Sequence, residues 1–207
     1  MISKIVFFGD SITAANRNAH TPLGDGYVSI LKDMFESDKQ LENIQFVNSG
    51  VNGHMVGDLL NRYQMDVIDH QPDAVVIKIG INDAYNQFIS GNHEYSVQRY
   101  SSGLEKLVRE IRAGLPRTQL FLLTPFLISD SKSEAFYRVM NEFCGVVKVL
   151  GNKFAIPVLD VQSVFDNAVK LKPASEWADD QIHPQHEGHA LIANASFTFL
   201  KGHLLKS

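Results

Sequence analysis

The apolar residues of this 207-residue chain fall into short runs that alternate with longer amphipathic segments. Runs rich in β-branched and aromatic residues predict strands over residues 4–8, 44–47, 74–79, 119–123 and 156–159. Apolar residues that recur every three or four positions predict helices over residues 27–36, 56–69, 96–114, 134–150, 161–170 and 187–200. Each predicted strand is therefore followed by a helical segment.

This alternation indicates the fold class. Parallel neighbouring strands need crossover connections, which are usually helices, and nearly continuous apolar strands indicate burial from both faces. The pattern predicts an α/β protein, a three-layer α/β/α sandwich around a parallel five-stranded sheet. Residues 80–94 and 172–180 are predicted to be loops at the rim of this sheet. No repeat or linker divides the chain, so a single domain is expected over residues 1–207.

The composition of the chain limits which classes of binding partner are expected. Apolar residues make up 44% of the chain, and a chain of this length buries roughly 70% of its unfolded surface. The formal net charge is -4 and no segment is rich in lysine and arginine, so a nucleic-acid partner is not expected. No apolar run approaches the roughly 18 residues that cross a bilayer, and Gly9 and Asp10 interrupt the N-terminal run too early for a signal peptide. We therefore expect a cytoplasmic protein without a membrane partner.

Candidate ligand-binding residues follow the first three predicted strands. In parallel sheets, ligands bind at the carboxyl ends of the strands. Ser11 lies in Gly-Asp-Ser-Ile directly after the first strand. Gly53 ends the motif Asn-Ser-Gly-Val-Asn-Gly after the second strand, and Asn82 lies in Gly-Ile-Asn-Asp after the third. We expect these three residues, which are distant in sequence, to converge at one rim.

A serine hydroxyl is almost wholly protonated at neutral pH and becomes a nucleophile only when a base accepts its proton. His183 can be that base, because Pro184 disfavours a helical backbone at the histidine and so places it in a loop before the last helix. Asp180, three residues earlier, can orient the imidazole, and Asp179 is the competing acid. We predict that Ser11, His183 and Asp180 act as nucleophile, base and orienting acid.

An acyl-transfer intermediate also needs hydrogen-bond donors for its negatively charged oxygen. The predicted donors are the backbone N–H groups of Ser11 and Gly53 and the side-chain amide of Asn82. Each residue has a simpler structural alternative, since serine and asparagine cap helices and glycine satisfies turns with positive φ. Their combination with a histidine and an aspartate favours the catalytic interpretation.

Motifs for metals, nucleotides and other nucleophiles are incomplete. His183, His186 and His189 lie close together but match neither the H-E-x-x-H nor the H-x-x-E-H zinc pattern. The segment Gly24-Asp25-Gly26 lacks the third glycine of a dinucleotide site, and Thr13 replaces the last glycine of the G-x-S-x-G nucleophile elbow. We therefore expect no metal and no other cofactor. The one cysteine, Cys144, lies among apolar helix residues and is expected to be buried and inert.

The motifs occur as four blocks in a fixed order along nearly the whole chain. These are Gly-Asp-Ser at Ser11, Asn-x-Gly-x-x-Gly ending at Gly53, Gly-x-Asn-Asp at Asn82 and Asp-x-x-His at His183. Together they resemble the GDSL-type esterases known as SGNH hydrolases. That family has a flavodoxin-like α/β/α fold and hydrolyses esters through a serine nucleophile. The resemblance implies the family's site roles for Ser11, Gly53, Asn82, Asp180 and His183.

A narrower similarity to the intracellular acetylxylan esterases of this family rests on Gly-Ile-Asn-Asp, Leu-Thr-Pro-Phe, His-Pro, Gly-His and a tryptophan shortly before Asp180. It implies an esterase that removes acetyl groups from xylo-oligosaccharides or related acetylated sugars and assembles into a homo-oligomer. Trp177, Tyr85 and Tyr27 would offer flat surfaces to a sugar ring unless they pack within the protein. Two alternatives stay open: a lysophospholipase or thioesterase acting on longer acyl chains, and a non-catalytic carbohydrate-binding protein with this fold.

Overall fold

Residues 2–205 are described by a computed structural model, and their strands form one parallel sheet. The strands are β1 (Lys4–Gly9), β2 (Gln45–Gly50), β3 (Ala74–Lys78), β4 (Gln119–Leu123) and β5 (Val158–Leu159). Their order across the sheet is β2-β1-β3-β4-β5, so the direction of winding reverses at β1. In open parallel sheets, ligands bind beyond the carboxyl ends of the strands where this reversal occurs.

Helices form a layer on each side of the sheet. They are α1 (Ser11–Ala14), α2 (Tyr27–Glu36), α3 (Val56–Asp66), α4 (Ile81–Ser90), α5 (Val97–Gly114), α6 (Ala135–Phe154), α7 (Val161–Ala168) and α8 (His186–Leu204). Helix α8 contacts α2 and α7, whereas α5 contacts α3 and α6. These two groups are the outer layers of the α/β/α sandwich.

The central strands carry the hydrophobic core because helices cover them from both sides. Residues 5–8 of β1 are each 0% exposed. Strand β3 is buried along its whole length, although it ends in a lysine, Lys78. The register pairs Val6 with Val47 on one side and with Val75 on the other. Continuous apolar runs are typical of strands buried in this way, and the predicted α/β fold class is confirmed.

Most predicted boundaries agree with the structure, but one loop prediction is wrong. Helix α3 ends at Asp66, and α8 continues to Leu204. Residues 80–94 were predicted as a loop, yet they contain α4, which begins after Gly80, where φ is 125°, and buries Ile81 and Ala84. Residues 172–180 are irregular apart from a short 3-10 turn at Ala174–Glu176, as predicted. The expectation of one domain over residues 1–207 stays a prediction.

Candidate active site

Ser11 follows β1 in a tight turn whose backbone is fixed by its neighbours. Asp10 is the N-cap of α1, and its side chain accepts a hydrogen bond from the Ile12 N–H at 3.1 Å. A Cβ on Gly9 would lie 2.3 Å from the Lys78 carbonyl oxygen, so only glycine lets the end of β1 approach β3 this closely. This exit from the strand leaves Ser11 partly exposed at the carboxyl rim of the sheet.

Three side chains form a continuous chain of hydrogen-bond contacts at this rim. Ser11 Oγ lies 3.0 Å from His183 Nε2, and the two residues are 172 positions apart in the sequence. His183 Nδ1 lies 2.6 Å from Asp180 Oδ2. Both separations fall within hydrogen-bonding range. The fold therefore brings together the hydroxyl, imidazole and carboxylate that the sequence motifs predicted as a group.

The loop that holds Asp180 aims its carboxylate at the imidazole. Asp180 Oδ1 accepts hydrogen bonds from the backbone N–H groups of Ile182 at 2.9 Å and His183 at 2.7 Å, which leaves Oδ2 for the ring. Burial pushes the pKa of Asp180 upward, but the hydrogen bonds from His183 and Ile182 outweigh burial and hold this pKa below its usual range. Asp179, the competing acid, instead accepts a hydrogen bond from Gln185 Nε2 at 2.8 Å.

Gly53 and Asn82 lie with Ser11 and His183 on the wall of one cavity of about 660 Å³. Gly53 has a φ of +76°, and nothing lies within 4 Å of a Cβ built on it, so the space on that side of its backbone is open. Asn82, in the first turn of α4, donates one hydrogen of Nδ2 to the His54 carbonyl at 2.9 Å. That contact orients the amide and leaves its second hydrogen for another acceptor.

Arg62 in α3 links three backbone segments near Gly53. It donates from Nη2 to the Gly9 carbonyl at 2.9 Å, from Nη1 to the Ser49 carbonyl at 2.8 Å and from Nε to His54 Nδ1 at 3.0 Å. The guanidinium thus ties the ends of β1 and β2 to the loop that contains Gly53. Sequence reasoning missed this residue, because an arginine on an amphipathic helix gives no sign of partners so distant along the chain.

Lys78 forms a buried ion pair with Asp10, the residue before Ser11. Lys78 Nζ lies 3.2 Å from both carboxylate oxygens of Asp10, and the two residues are 1% and 0% exposed. Burial lowers the pKa of Lys78, and the Asp10 carboxylate opposes this shift. The sequence does hold a signal for this pair, since a lysine within an apolar strand needs a partner when it is buried.

The three aromatic residues predicted as sugar platforms do not line this cavity. Tyr27 is 1% exposed, and its hydroxyl lies 3.1 Å from Thr13 Oγ1 within the core. Trp177 is 9% exposed and donates from Nε1 to the Lys172 carbonyl at 3.2 Å. Both predictions are wrong because the rings pack inside the protein. Tyr85 is 43% exposed on α4, outside the cavity, and its ring lies edge-on to that of Phe136.

Other potentially reactive groups are engaged within the protein. His189 Nδ1 accepts a hydrogen bond from the Tyr27 N–H at 3.2 Å. Across residues 2–205, no three or more histidine, cysteine or acidic side chains are grouped so as to hold a metal ion. The Cys144 thiol is buried and donates to the Pro125 carbonyl at 3.0 Å, and burial raises its pKa to about 12. None of the helices in this described range is long and apolar enough to cross a membrane.

Comparison with known proteins identifies the class to which this fold and site belong. The model of the GDSL-like lipase/acylhydrolase family matches residues 7–191. The chain therefore belongs to the GDSL-like lipase/acylhydrolase family, as its sequence blocks predicted, and it is a carboxylic ester hydrolase.

Within this family, the chain is similar to an acetylxylan esterase from Geobacillus stearothermophilus, with 32% identity over 93% of this chain and 91% of the relative. The crystal structure of an acetylxylan esterase from that organism, Axe2, matches with a TM-score of 0.87 and 31% identity, covering 96% of this chain and 93% of the other. Three solved catalytic mutants of that enzyme replace a serine, a histidine and an aspartate by alanine. Thioesterase 1/protease 1/lysophospholipase L1 of Escherichia coli is 24% identical over 92% of this chain and 79% of its own length.

Proposed function

We propose that this enzyme is a serine esterase that removes acetyl groups from small acetylated carbohydrates, in particular xylo-oligosaccharides. The single observation that carries the proposal is the contact of Ser11 Oγ with His183 Nε2 at 3.0 Å inside the cavity that Gly53 and Asn82 also line. The same three residue types are replaced in the catalytic mutants of the similar acetylxylan esterase. No metal or other cofactor takes part in the proposed reaction.

In the first half-reaction, Ser11 Oγ attacks the ester carbonyl carbon while His183 Nε2 accepts the hydroxyl proton. Asp180 Oδ2 accepts a hydrogen bond from the Nδ1–H of the ring, so Nε2 is the basic nitrogen, and the carboxylate stabilises the imidazolium after the transfer. The carbonyl oxygen becomes negatively charged and receives hydrogen bonds from the N–H groups of Ser11 and Gly53 and from Asn82. The intermediate collapses when His183 returns the proton to the alcohol oxygen and the carbon–oxygen bond breaks.

In the second half-reaction, water attacks the acyl group on Ser11. His183 accepts a proton from the water, and the same donors stabilise the negatively charged oxygen again. Collapse of this intermediate releases acetate and returns the proton to Ser11 Oγ. The two half-reactions use one base and leave the protein in its starting state.

The lining of the cavity favours a short acyl group over a long one. Its residues are mostly polar or small, and beside those already described they include Asn16, Asp25 and Asn52, whereas Ile12 is the one large aliphatic side chain among them. A long acyl chain needs an apolar channel, because contact with such polar groups would remove water from them without replacing its hydrogen bonds. This lining and the similarity to the acetylxylan esterase support the acetyl substrate.

Two further parts of the proposal concern location and assembly. We place the enzyme in the cytoplasm, because its sequence resembles intracellular members of the family. We also propose a homo-oligomer, as that resemblance implies. Light scattering on the purified protein tests the assembly directly, since a monomer has a mass of 23.1 kDa.

The decisive experiment measures acetate released from partially acetylated xylo-oligosaccharides, together with kcat/KM for p-nitrophenyl esters from acetyl to octanoyl. We expect acetate release and a steep preference for the acetyl ester. Ser11→Ala should retain the fold, as judged by circular dichroism, and lose ~1000-fold or more of the activity. A preference for octanoyl would replace the proposal with the lysophospholipase or thioesterase alternative. Ordinary activity of folded Ser11→Ala would overturn the mechanism.

A further inference from the structure

The segment Gly24-Asp25-Gly26 is fixed against the turn that follows α1. The Asp25 N–H donates to the Ala15 carbonyl at 2.8 Å. A Cβ on Gly24 would lie 2.3 Å from that carbonyl oxygen, and a Cβ on Gly26 would lie 2.4 Å from the Ala15 Cβ. Real side chains do not tolerate such contacts, so the two glycines permit the close approach. The two glycines thereby place Asp25 in the wall of the cavity that contains Ser11.

Asn16 holds the carboxylate of Asp25 in place. Asn16 has a φ of 59°, a left-handed conformation that asparagine adopts more readily than most residues. From this position its Nδ2 lies 3.3 Å from Asp25 Oδ1 and 3.1 Å from Oδ2. A carboxylate has about four acceptor positions, so one amide leaves most of them for other donors. Asp25 is exposed, and it lines the cavity with Asn16 and His183.

His189 adds a fixed donor to the same cavity wall. Its Nδ1 accepts the Tyr27 N–H, so the proton of the neutral ring is on Nε2. Burial lowers the pKa of His189 to about 4, and the nearby Asp25 carboxylate offsets only part of this shift. The ring is therefore neutral at neutral pH. The cavity offers both a strong acceptor, Asp25, and a neutral donor, His189.

We propose that Asp25, positioned by Asn16, accepts hydrogen bonds from free hydroxyl groups on the alcohol part of the ester and so selects hydroxyl-rich alcohols. A hydroxyl both donates and accepts, which suits a wall that carries Asp25 together with His189. An alcohol part without hydroxyls would remove water from the carboxylate and return no hydrogen bond. The inference rests on the proposed function, because it assigns the alcohol-binding side of that esterase site.

Two acetyl esters with the same carbon skeleton test this role. Glycerol 1-acetate carries two free hydroxyls, and propyl acetate carries none. The measured quantity is the ratio of kcat/KM for glycerol 1-acetate to kcat/KM for propyl acetate. Asp25→Ala should lower this ratio about 10-fold, the effect of losing a hydrogen bond to a charged group. Asp25→Asn retains one acceptor oxygen and should lower the ratio less. Asp33→Ala removes an exposed carboxylate of α2 outside the cavity and should leave the ratio unchanged.

Hydrolysis of propyl acetate by Asp25→Ala also reports that this variant has folded, and Asp25→Asn serves as the second variant if it has not. A ratio in both Asp25 variants equal to that of the wild type would overturn the inference. The sugar proposal fails separately, if the wild type releases no acetate from acetylated xylo-oligosaccharides but hydrolyses both simple esters. A wild type that hydrolyses neither ester and releases no acetate from acetylated xylo-oligosaccharides would overturn both proposals.

Discussion

Asp180 uses its two oxygens for two different tasks. Oδ1 is held by backbone N–H groups of its own loop, and Oδ2 contacts the His183 ring. The backbone contacts fix the carboxylate before any substrate arrives, and the ring contact determines which nitrogen of His183 faces Ser11. The neighbouring Asp179 makes neither contact. One side chain therefore controls both the position and the orientation of the proposed base.

Replacement of Asp180 by asparagine tests the negative charge of this side chain while its size stays the same. Asp180→Asn keeps the size of the side chain but loses the negative charge that stabilises the imidazolium, so kcat should fall roughly 100- to 10,000-fold while KM changes little. Steady-state kinetics with p-nitrophenyl acetate measure this loss. Asp179→Asn is the matched control and should leave kcat unchanged. Equal effects of the two substitutions would contradict the assigned role of Asp180.

Individual residues differ in how well the sequence predicts them. Short sequence blocks, three of them after strands and one before the last helix, located five residues that the fold brings together: Ser11, Gly53, Asn82, Asp180 and His183. The contacts of Arg62 with the Gly9 and Ser49 carbonyls were not predictable, because only the folded sheet brings these backbone groups near the helix. Tyr27 was wrongly predicted to contact a sugar ring, although the sequence indicates that it is buried. It begins the apolar stripe of α2 that also contains Leu31 and Phe35.

At the scale of elements, the junction between β1 and α1 depends on charges buried beside Ser11, the proposed nucleophile. Asp10 caps α1 through the Ile12 N–H and also pairs with Lys78 at the end of β3. Two neighbouring strands thus contribute to the position of the helix that begins with Ser11. Since both charges are buried, the cost of removing each one from water is offset by its attraction to the other.

Removal of one partner should therefore cost more than removal of both charges. Lys78→Met leaves Asp10 buried without a counter-charge and should lower the free energy of unfolding by about 3–5 kcal/mol. Adding Asp10→Asn to Lys78→Met should recover most of this loss, because asparagine can still cap the helix and no buried charge remains. Urea unfolding of the two variants and the wild type measures the difference. A single variant no less stable than the double variant would contradict this account.

Helix α4 shows why one element escaped prediction while the strands did not. The central strands β1 and β3 are continuous apolar runs, and this composition is typical of strands buried on both faces. In contrast, α4 begins with a single isoleucine followed by two polar residues, and its inner side is buried only at Ile81, Asp83 and Ala84. The burial of Asp83 depends on the N-terminus of α3, which is remote in sequence, so local periodicity did not reveal the helix.

At the scale of the whole molecule, the buried carboxylate of Asp83 couples stability to pH. Asp83 is 5% exposed and accepts the Val56 N–H at 3.2 and 3.3 Å, which joins the start of α3 to α4. Burial raises its pKa from 3.8 to about 7, although the hydrogen bond from Val56 opposes the shift. Between these two values, the folded protein holds a proton that the unfolded chain has released. Raising the pH through this interval therefore destabilises the fold.

The comparison with Asp83→Asn isolates this effect, because asparagine does not titrate. From pH 4 to pH 8, the free energy of unfolding of the wild type should fall relative to that of Asp83→Asn by roughly 2–4 kcal/mol. Urea denaturation at several pH values, with both proteins in the same buffers, gives this difference. A difference that stays constant across the interval, or grows in favour of the wild type, would show that Asp83 is ionised at low pH in the folded protein.

The separation of Ser11 and His183 by 172 residues has a consequence for how activity arises during synthesis. Chains emerge from the ribosome N-terminus first, so the hydroxyl is made long before the imidazole that activates it in the proposed mechanism. Under that mechanism, a chain that ends before Asp180 contains a serine without its base and should not hydrolyse esters. Ester cleavage therefore reports that nearly the entire chain has been made and folded, and partial products cannot attack esters prematurely.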